Sequence, residues 1–399
     1  MKILQICHRV PYPPLDGGNI AMLNMAKSLV AAGAEVHQFA LNTKKHYVKP
    51  ESFPAHLKES LHFQCADLDT RITIGGAFSN LFKNESYNVV RFFDEEIEKT
   101  LASILQKEDF DVVQFETLFA TPYIPVVRKY SRAKVSLRAH NAEHIIWERL
   151  AGAEKNILKR YYLKFLSRRL KKYELEILEK IDFLIPITKV DEQIFKELGY
   201  KRPVLSLPLG VNLEDYPINK KTSTPLSLFH LGSMDWLPNI EGVEWFLEKC
   251  WPSVHSAFPD LKLFLAGRNF PEYILEANLP GVFCEGRIEN ANAYMSDKQI
   301  MIVPLLSGSG MRVKIIQGMA LGKTIISTTI GAEGINTESG KNILIADTPS
   351  EYFEAIKKCL DNPEACRKIG TAARQLAEEE YSNLSIGKKL LNFYREKIN

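Results

Sequence analysis

The sequence predicts an α/β protein built from two doubly wound domains that face a cleft. Short apolar runs alternate with helical patterns along the chain, which is typical of parallel sheets covered by helices on both faces. With 399 residues the chain is too long for one hydrophobic core, because a domain holds about 150 residues. A polar stretch without apolar periodicity, residues 219–225, separates two such series of elements and is the predicted linker.

The first series of elements occupies residues 1–210. It begins with an apolar strand at residues 3–7, a Pro/Gly loop, and a helical pattern over residues 19–32 in which Asn19 is a suitable N-cap. Further strands of this series are expected at residues 36–41, 112–115, 135–137, 183–187 and 204–207. A long charged helix is expected at residues 157–179.

The second series occupies residues 226–380. Its strands are expected at residues 226–231, 261–266, 300–304, 324–327 and 343–345, with helices between them that include residues 243–247 and 315–321. The last segment, residues 381–399, carries an apolar stripe formed by Leu390, Leu391, Phe393 and Tyr394. In doubly wound domains, ligands bind beyond the carboxyl ends of the strands.

The composition is that of a globular protein, since 45% of the residues are hydrophobic and 25% are charged. A formal net charge of +3 gives no reason to expect nucleic acid as a partner. The six cysteines form no C-x-x-C pair and several lie in apolar runs, which favours buried free thiols in a reducing compartment. No apolar run reaches the ~18–20 residues of a spanning helix and no secretory signal pattern precedes the first strand, so a cytoplasmic location is expected.

The most informative segment is residues 304–323, where a strand runs into a Ser/Gly loop that opens a helix near Gly310. Backbone N–H groups in such a loop and the positive end of the helix dipole both favour an anion. Arg312 and Lys314 add two cations within the first turn, where they oppose the dipole unless an anion lies beside them. A diphosphate would remove this conflict, and both cations are catalytic candidates on this basis. The alternative is a solvated loop with two surface cations.

In this segment, and in order along nearly the whole chain, the sequence resembles glycosyltransferase family 4. Residues 307–317 and 327–334 resemble a subgroup of the family with a G-x-R-x-K loop. Residues 138–144 (RAHNAEH) resemble its histidine-bearing loop, and residues 208–212 (PLGVN) resemble its hinge segment. Asp16-Gly17-Gly18 is similar to the family's first glycine-rich loop.

This resemblance implies a GT-B fold, with two Rossmann-like domains and a C-terminal helix that crosses back to the first domain. It implies a retaining, metal-independent glycosyltransferase that moves a hexose from a nucleotide diphosphate sugar to a glycan or lipid-linked acceptor. The donor would be bound by residues 226–380 and the acceptor on the side of residues 1–210. Cell-surface polysaccharide synthesis, at the inner face of the membrane or in the cytoplasm, is the expected process.

Two departures from the family pattern concern the donor site. Ser309 and Gln317 stand where the resemblance implies a Glu-x7-Glu pair that contacts the donor sugar and the nucleotide ribose. Gln317 can still hydrogen-bond a ribose hydroxyl, and Ser309 can contact the diphosphate. The loop at residues 232–239 lacks the expected Arg and Lys, so we expect Arg312 and Lys314 to supply the missing charge.

Other contacts to the donor are also expected from the resemblance. These are Gly17 and Gly18 at the diphosphate or at an acceptor anion, Gly232 and Ser233 at the diphosphate, Gly267, Arg287 and Ile288 at the base, and Gly310 and Met311 in the donor loop. The alternative for Gly17 and Gly18 is an ordinary turn between a strand and a helix. Arg287 is equally well explained as a surface residue.

His140 is the main catalytic candidate of the first domain. It follows a predicted strand and should project into the cleft, where the resemblance implies contact with the donor sugar or its phosphate. The alternative is a structural histidine bonded to backbone. Asn141 and Glu143 are expected to orient His140 or to meet the acceptor, and Glu116, which ends another strand at the same edge, is a further acceptor candidate.

Two weaker patterns concern a metal and a membrane. Asp67-Leu-Asp69 matches the D-x-D pattern of metal–diphosphate sites, but a tripeptide match is weak, and neither a metal nor a cofactor is expected. The helix at residues 155–180 is rich in Lys and Arg interleaved with aromatic residues. A solvated face is the favoured explanation, and peripheral contact with an anionic membrane is the alternative.

Two other functions are compatible with the sequence. Because Ser309 and Gln317 replace two acidic residues, the chain could be a catalytically weak nucleotide-sugar-binding protein. A nucleotide-sugar epimerase of related architecture is the second alternative. A nicotinamide dehydrogenase is disfavoured, because no G-x-G-x-x-G follows the first strand.

Overall fold

A computed structural model of the protein describes residues 1–14, 16–71, 85–154, 156–218, 226–308 and 310–398. They form two compact units. Unit 1 consists of Met1–Gly210 and the C-terminal segment that begins at Asn383, and unit 2 consists of Val211–Ser382. The predicted linker, residues 219–225, lies outside the described residues.

Unit 1 holds a parallel six-stranded sheet. Its strands are β1 (Lys2–Cys7), β2 (Glu35–Thr43), β3 (Gln64–Leu68), β4 (Val112–Glu116), β5 (Lys134–Ala139) and β6 (Phe183–Pro186), in the order β3-β2-β1-β4-β5-β6. Its helices before the second unit are α1 (Gly17–Ala31), α2 (Ala55–Ser60), α3 (Tyr87–Val90), α4 (Glu95–Lys107), α5 (Ile124–Tyr130), α6 (Glu143–Ala153), α7 (Ile157–Leu178) and α8 (Lys189–Glu197). A 3-10 helix, Leu118–Tyr123, follows β4.

Unit 2 repeats this plan. Its strands are β7 (Ser227–Leu231), β8 (Lys262–Ala266), β9 (Val282–Gly286), β10 (Ile300–Val303), β11 (Thr324–Ser327) and β12 (Leu344–Ile345), in the parallel order β12-β11-β10-β7-β8-β9. Its helices are α9 (Leu237–Trp245), α10 (Trp251–Ala257), α11 (Glu272–Leu275), α12 (Ala291–Ser296), α13 (Val313–Ala320), α14 (Pro349–Asp361) and α15 (Pro363–Glu380).

Helix α4 illustrates how local sequence produces these elements. The Asp94 carboxylate caps its first turn by accepting from two backbone N–H groups, and glutamates in that turn complement the helix dipole. Ile97, Leu101 and Leu105 recur at a spacing of four and are buried against the sheet. The central strands are buried on both faces, as parallel strands covered by helices must be.

The strand order reverses once in each sheet, and this reversal positions the ligand-facing edges. It lies between β1 and β4 in unit 1 and between β7 and β10 in unit 2. Ligands of doubly wound sheets bind beyond the carboxyl ends of the strands at this point. His8 and Thr117 follow the two strands in unit 1, and Gly232 and Pro304 follow them in unit 2.

The C-terminal helix α16 (Asn383–Ile398) packs on α1 and so belongs to unit 1. Its Ile386, Leu390 and Tyr394 are buried in one hydrophobic cluster with residues of β1 and α1. The two helices approach so closely that a Cβ on Gly387 would lie 1.9 Å from the carbonyl oxygen of Ser28. A larger residue at position 387 would therefore force the helices apart.

The predicted α/β fold with two Rossmann-like units is confirmed, and so is the return of the C-terminal helix to the first unit. Strands β3 and β9 were missed because both are edge strands of mixed polarity, so neither shows an apolar run longer than three residues. The helix expected to open near Gly310 begins at Val313, because Gly308 and Gly310 have φ values of +111° and +82° that a right-handed helix does not contain. In the part of the chain that the structure describes, no helix is both long and apolar enough to cross a bilayer.

Candidate functional site

The carboxyl edge of the unit 1 sheet holds a buried polar cluster around Glu116. This carboxylate accepts hydrogen bonds from Gln5 Nε2 at 2.8 Å and Gln114 Nε2 at 2.7 Å on its Oε1 atom. Its Oε2 atom lies 2.8 Å from His140 Nε2 and 3.3 Å from Arg138 Nη1. The structure thus brings two predicted site residues, Glu116 and His140, into direct contact.

The charges in this cluster fix the protonation of His140. Burial opposes the ionisation of Glu116, but the Arg138 guanidinium and the hydrogen bonds from His140 and Gln5 outweigh it and lower the pKa of Glu116 to about 2. Burial also lowers the pKa of His140, and the Arg138 cation adds to this effect while Glu116 opposes it. At neutral pH a carboxylate therefore faces a neutral imidazole. His140 Nε2 has two neighbours, the Glu116 carboxylate at 2.8 Å, which only accepts, and Arg138 Nη1 at 3.2 Å, which only donates. The shorter contact assigns the proton to Nε2 and the lone pair to Nδ1.

Arg138 is a central member of this cluster, although no role was predicted for it beyond its place in a motif. Its side chain is fully buried within β5, and Nε and Nη2 have no hydrogen-bond partner among the described residues. Buried N–H groups are normally satisfied, so two unused donors are exceptional. The signal in the sequence was a charged residue inside an apolar strand.

Thr117, which follows Glu116, has a strained backbone. Its φ is +75°, a value that β-branched residues rarely adopt and that costs on the order of 1–3 kcal/mol. The backbone N–H of Thr117 donates to the Arg138 carbonyl at 3.0 Å. Its hydroxyl lies 3.1 Å from His8 Nδ1, so the strained residue connects the ends of β1, β4 and β5.

Asn141 and Glu143 form a separate pair at the start of α6. Glu143 is buried, and this burial raises its pKa to about 8, with the Glu174 carboxylate adding to the effect and a hydrogen bond from Asn141 opposing it. Glu174, which comes from α7, accepts from the Glu143 backbone N–H at 3.1 Å and pairs with His144 Nδ1. Glu143 is therefore largely protonated at neutral pH and can donate a hydrogen bond.

The loop between β1 and α1 contains an ion pair next to the predicted glycines. The Asp16 carboxylate caps α1 by accepting from the Asn19 N–H at 3.0 Å, and Arg9 Nη2 donates to the same oxygen at 2.6 Å. A Cβ on Gly18 would lie 2.5 Å from Arg9 Nη2, whereas one on Gly17 would have no heavy atom within 4 Å. Gly18 thus makes room for the Arg9 guanidinium, a group that sequence reasoning missed.

In unit 2, Lys314 lies beside the carboxyl end of β7. Its Nζ donates to Asn239 Oδ1 at 2.8 Å. A Cβ on Gly232 would lie 2.7 Å from Lys314 Nζ and 2.9 Å from His230 Nε2. His230 is buried, and its Nδ1 donates to the Ile302 carbonyl at 3.1 Å, so Nε2 carries a lone pair directed at this point. Sequence reasoning missed His230 and Asn239; the only signal for His230 was a histidine inside an apolar strand.

The two predicted cations of unit 2 stand at the N-terminus of α13. Burial, followed by repulsion from the Arg312 cation, lowers the pKa of Lys314 to about 7. Burial also lowers the pKa of Arg312, and Glu333 opposes that shift. The Arg312 guanidinium lies 5.0 Å from the ring centre of Trp236. Both cations are partly desolvated and lie beside a helix N-terminus, so an anion bound there would stabilise them.

The loop before α13 wraps around the Arg312 side chain. The Gly310 carbonyl accepts from Arg312 Nη1, and Met311 is half-buried between these two residues. A Cβ on Gly308 would lie 2.9 Å from the Trp236 ring, so Trp236 packs directly on this loop. Ser309 lies outside the described residues.

The other predicted donor contacts are partly occupied. Gln317 Nε2 donates to Tyr216 Oη at 3.0 Å, and Ser233 Oγ donates to Asp235 at 2.7 Å. The Gly232 N–H donates to the Ala266 carbonyl at 3.0 Å. A ligand could meet these residues only through their remaining atoms.

Gly267, Arg287 and Ile288 lie at the ends of β8 and β9. The Gly267 N–H donates to the Gly286 carbonyl at 2.7 Å, and a Cβ on Gly267 would lie 1.8 Å from the Gly232 oxygen. Gly267 is thus required for the close approach of two loops. Arg287 is exposed and Ile288 is half-buried.

The acidic pair Asp67 and Asp69 is engaged by protein groups. Asp67 accepts from Asn42 Nδ2 at 2.9 Å, and Asp69 pairs with Lys44 at 2.9 Å and Arg71 at 2.6 Å. A different set of ligand atoms, on Glu35, His37 and His62, is the group within the described ranges that could hold a metal ion, with atoms within 4.8 Å of one another. It lies at the amino end of β2, at the sheet edge opposite Glu116.

The chain is similar to a known protein family and to a known bacterial protein. Residues 225–362 match the model of the family described as "Glycosyl transferases group 1". Over 396 residues, the chain is 23% identical to an uncharacterized 44.6 kDa protein in the cps region of Klebsiella pneumoniae, covering 96% of this chain and 97% of that protein.

Solved structures share the fold over the full length. Sucrose-phosphate synthase from Thermosynechococcus elongatus superposes with a TM-score of 0.70 at 17% identity, covering 99% of this chain and 98% of that one. Anabaena HepE in complex with UDP superposes with a TM-score of 0.68 at 13% identity, covering 99% and 100%. The chain therefore has the GT-B fold, and the match to the glycosyl transferases group 1 model lies in its second unit.

Proposed function

We propose that this protein is a retaining glycosyltransferase that moves a hexose from a nucleotide diphosphate sugar to a glycan or lipid-linked acceptor. Unit 2 would take the donor and unit 1 the acceptor. The observation that carries this proposal is Lys314, held by Asn239 next to Gly232 at the N-terminus of α13, inside the matched glycosyl transferases group 1 domain. The UDP bound to HepE supports a nucleotide donor, and the cps-region relative supports a role in cell-surface polysaccharide synthesis.

In this proposal, unit 2 stabilises the leaving group. When the glycosidic bond to the diphosphate breaks, negative charge grows on the diphosphate, and preorganised cations beside it lower the barrier. Lys314 and Arg312 supply these cations. A diphosphate would also raise the pKa of Lys314 from about 7, so that the bound lysine is fully charged. These groups provide the charge that a divalent ion supplies elsewhere, so transfer needs no metal.

In unit 1, His140 is the proposed contact for the reacting sugar. Its Nε2–H is held by the Glu116 carboxylate, so Nδ1 offers a fixed lone pair to a sugar hydroxyl. Arg138 keeps Glu116 ionised, and Glu116 in turn keeps His140 in this tautomer. No protein nucleophile is invoked, and the acceptor attacks from the face that the diphosphate leaves.

The test begins with purified protein and the UDP, GDP, dTDP and ADP sugars. A donor that binds the native protein raises the melting temperature of the protein, and the donor with the largest effect is used for the transfer assay. Transfer to acceptors extracted from producing cells is then followed by NMR, which reports the anomeric configuration of the product. We expect the donor configuration to be kept, with full activity in excess EDTA.

Other outcomes would contradict the proposal in distinct ways. Tight binding of a nucleotide sugar without turnover would indicate a binding protein. Conversion of the donor without an acceptor would indicate an epimerase. Loss of transfer in EDTA, with rescue by manganese, would contradict metal independence and would favour Asp67 and Asp69 as metal ligands.

We also propose that α7 brings unit 1 to an anionic membrane surface. Ile157, Leu158 and Tyr161 are 59%, 81% and 69% exposed at the start of this helix. Arg160 lies between Leu158 and Tyr161 in the sequence, and Lys164 follows one turn later. Basic helices with exposed apolar residues bind anionic interfaces.

The membrane proposal is tested by co-sedimentation with phosphatidylglycerol vesicles. We expect the Leu158→Ser/Tyr161→Ser variant to lose most of its binding, whereas Leu384→Ser, an exposed leucine on α16, should bind as the wild type does. Equal binding of all three proteins would show that α7 is merely solvated.

A further inference from the structure

We propose that a cavity in unit 1 binds a phosphate or diphosphate group of the acceptor, so that the acceptor is a phosphorylated or diphosphate-linked glycan. The inference rests on the proposed glycosyl transfer and specifies its second substrate. The cavity has a volume of about 680 Å³ and lies where β1, β2 and β3 end. This size is that of a small-molecule site.

The cavity wall carries an excess of positive charge. Its cationic side chains are Arg9, Lys44, Lys45, Arg71 and Arg91. Among the described residues, the carboxylates that form ion pairs with this set are Asp16, with Arg9, and Asp69, with Lys44 and Arg71. Five cations thus share two anions, and the remaining charge favours an anionic ligand.

Among these cations, Arg91 gives the strongest indication of a phosphate ligand. It is half-buried, and it makes long hydrogen bonds to two backbone carbonyls, from Nε to Asn88 at 3.3 Å and from Nη1 to Thr70 at 3.4 Å. Burial lowers its pKa, which means that the charge is held at a cost in solvation. Guanidinium groups bind phosphate through parallel hydrogen bonds, so a phosphate would satisfy Arg91 better than carbonyls do.

The positive charge of the cavity wall also affects two histidines. Burial and then the charge on Arg9 lower the pKa of His8 to about 3. Burial, Arg9 and Lys45 lower the pKa of His46, with Asp16 as the opposing group. Both histidines are neutral at physiological pH, so they add hydrogen-bonding capacity and no further charge.

One side of the cavity is aromatic. The rings of Phe92 and Phe119 lie 5.3 Å apart, and the His8 ring lies 6.2 Å and 6.0 Å from them. Arg91 lies over Phe92 at 5.2 Å. Aromatic faces of this kind pack against sugar rings or lipid chains, so the wall has room for the uncharged part attached to an anion.

The cavity adjoins the proposed reacting centre. His8, on its wall, contacts Thr117, and Thr117 follows Glu116, which holds His140. A phosphate seated among Arg9, Lys45 and Arg91 would therefore place the attached sugar toward the carboxyl edge of β4. This placement distinguishes the cavity from the Lys314 site, which belongs to unit 2.

The test uses calorimetry with inorganic pyrophosphate on the full chain carrying Lys314→Gln, which removes the cation proposed for the donor. We expect binding in this background to weaken at least tenfold on adding Lys45→Gln and Arg91→Gln. Lys45→Gln alone, at an exposed position that cannot disturb the core, should weaken it about threefold. The control pair Lys388→Gln/Lys389→Gln removes two exposed charges from α16 and should change nothing.

The outcomes separate this inference from the proposed function. Unchanged pyrophosphate affinity in the Lys45→Gln/Arg91→Gln variant would overturn the inference, and so would an equal loss in the control pair. UDP binding to a protein with intact Lys314 should be unaffected by the cavity substitutions, and it tests the donor proposal by itself.

Competition with pyrophosphate identifies the source of the anion. Geranyl diphosphate binding more tightly than pyrophosphate assigns a lipid diphosphate, whereas tighter binding of glucose 1-phosphate assigns a phosphorylated sugar. Either result supports the inference. Failure of both to compete, or equal competition by glucuronate, would contradict the assignment of a phosphate group.

Discussion

Glu116 and Glu143 are two buried carboxyl groups of unit 1 whose surroundings drive their pKa values in opposite directions. Arg138 and three hydrogen-bond donors keep Glu116 ionised, so its pKa falls to about 2. Glu143 faces another carboxylate, Glu174, and its pKa rises to about 8. Glu116 can therefore orient a neutral histidine as a carboxylate, whereas Glu143 is a buried acid that can donate a hydrogen bond.

The raised pKa of Glu143 makes the stability of the protein depend on pH. Below pH ~4.5 the group is protonated in both folded and unfolded chains; above this pH the unfolded chain loses the proton while the folded chain keeps it up to about pH 8. Its contribution to stability is thus lost as pH rises through this window. We expect Glu143→Gln to remove the loss and to raise the free energy of unfolding at pH 8, relative to pH 4.5, by about 3–5 kcal/mol.

Urea denaturation at pH 4.5, 6 and 8 measures this effect. Glu148→Gln, an exposed position on the same helix, is the matched control and should follow the wild type. A wild-type pH profile identical to that of Glu143→Gln would show that Glu143 titrates normally.

At the scale of elements, both candidate sites lie where a strand passes into a loop at the reversal of strand order. In unit 2, three elements meet there: β7 supplies His230 and Gly232, α9 supplies Asn239, and α13 supplies Lys314. Gly232 is needed because its missing side chain leaves the space in which Lys314 Nζ lies. The lysine reaches the strand end only because this position is glycine.

We therefore expect Gly232→Ala to impair binding more than folding. The added Cβ would lie 2.7 Å from Lys314 Nζ, the end of a flexible side chain, and 2.9 Å from Asn239 Nδ2 and His230 Nε2. All three neighbours are side-chain atoms that must shift and none is backbone, so the melting temperature should fall by only several degrees. The displaced charge should weaken nucleoside diphosphate binding about tenfold. Gly152→Ala, which adds a Cβ with no heavy atom within 4 Å, serves as the control. Unfolding of Gly232→Ala, or unchanged nucleotide affinity, would contradict this role.

The sequence carried enough information for most of the elements and for some residues of the candidate site. Central strands such as β1 and β10 are mainly apolar and were predicted. Strands β3 and β9 were missed because edge strands face solvent and mix polar with apolar residues. Glu116 was predicted because it follows an apolar strand. His140 was predicted because it follows another such strand and lies in the segment that resembles the family's histidine-bearing loop. Arg138 and His230 were not given a role, because their partners come from elements distant in sequence, and contacts of this kind leave no local pattern.

At the scale of the whole molecule, the chain first forms most of unit 1, then unit 2, and finally returns to unit 1 as α16. This return stabilises the first unit. Ile386, Leu390 and Tyr394 are fully buried, and each such side chain contributes ~1.5–3 kcal/mol before entropy is counted. The Tyr394 hydroxyl also donates to Gln114 or Ser136, at 2.8 Å and 2.7 Å.

Removal of α16 should therefore destabilise unit 1 specifically. We expect truncation after Ser382 to lower hydrogen-exchange protection in residues 1–210 and to leave residues 226–382 protected. Gly387→Ala should act in the same direction, because its Cβ would meet the Ser28 carbonyl, whereas the exposed Lys388→Ala should be silent. Loss of protection confined to residues 226–382 would contradict the assignment of α16 to unit 1.

The central claim is that Lys314 recognises the diphosphate of a nucleotide sugar. Calorimetry of UDP and uridine on the wild type and on Lys314→Gln tests it most directly, since the two ligands differ only in the diphosphate. We predict that the substitution weakens UDP binding at least tenfold, equivalent to about 1.4 kcal/mol, and leaves uridine binding unchanged. Equal effects on UDP and uridine, or UDP binding to Lys314→Gln as tight as to the wild type, would contradict the account.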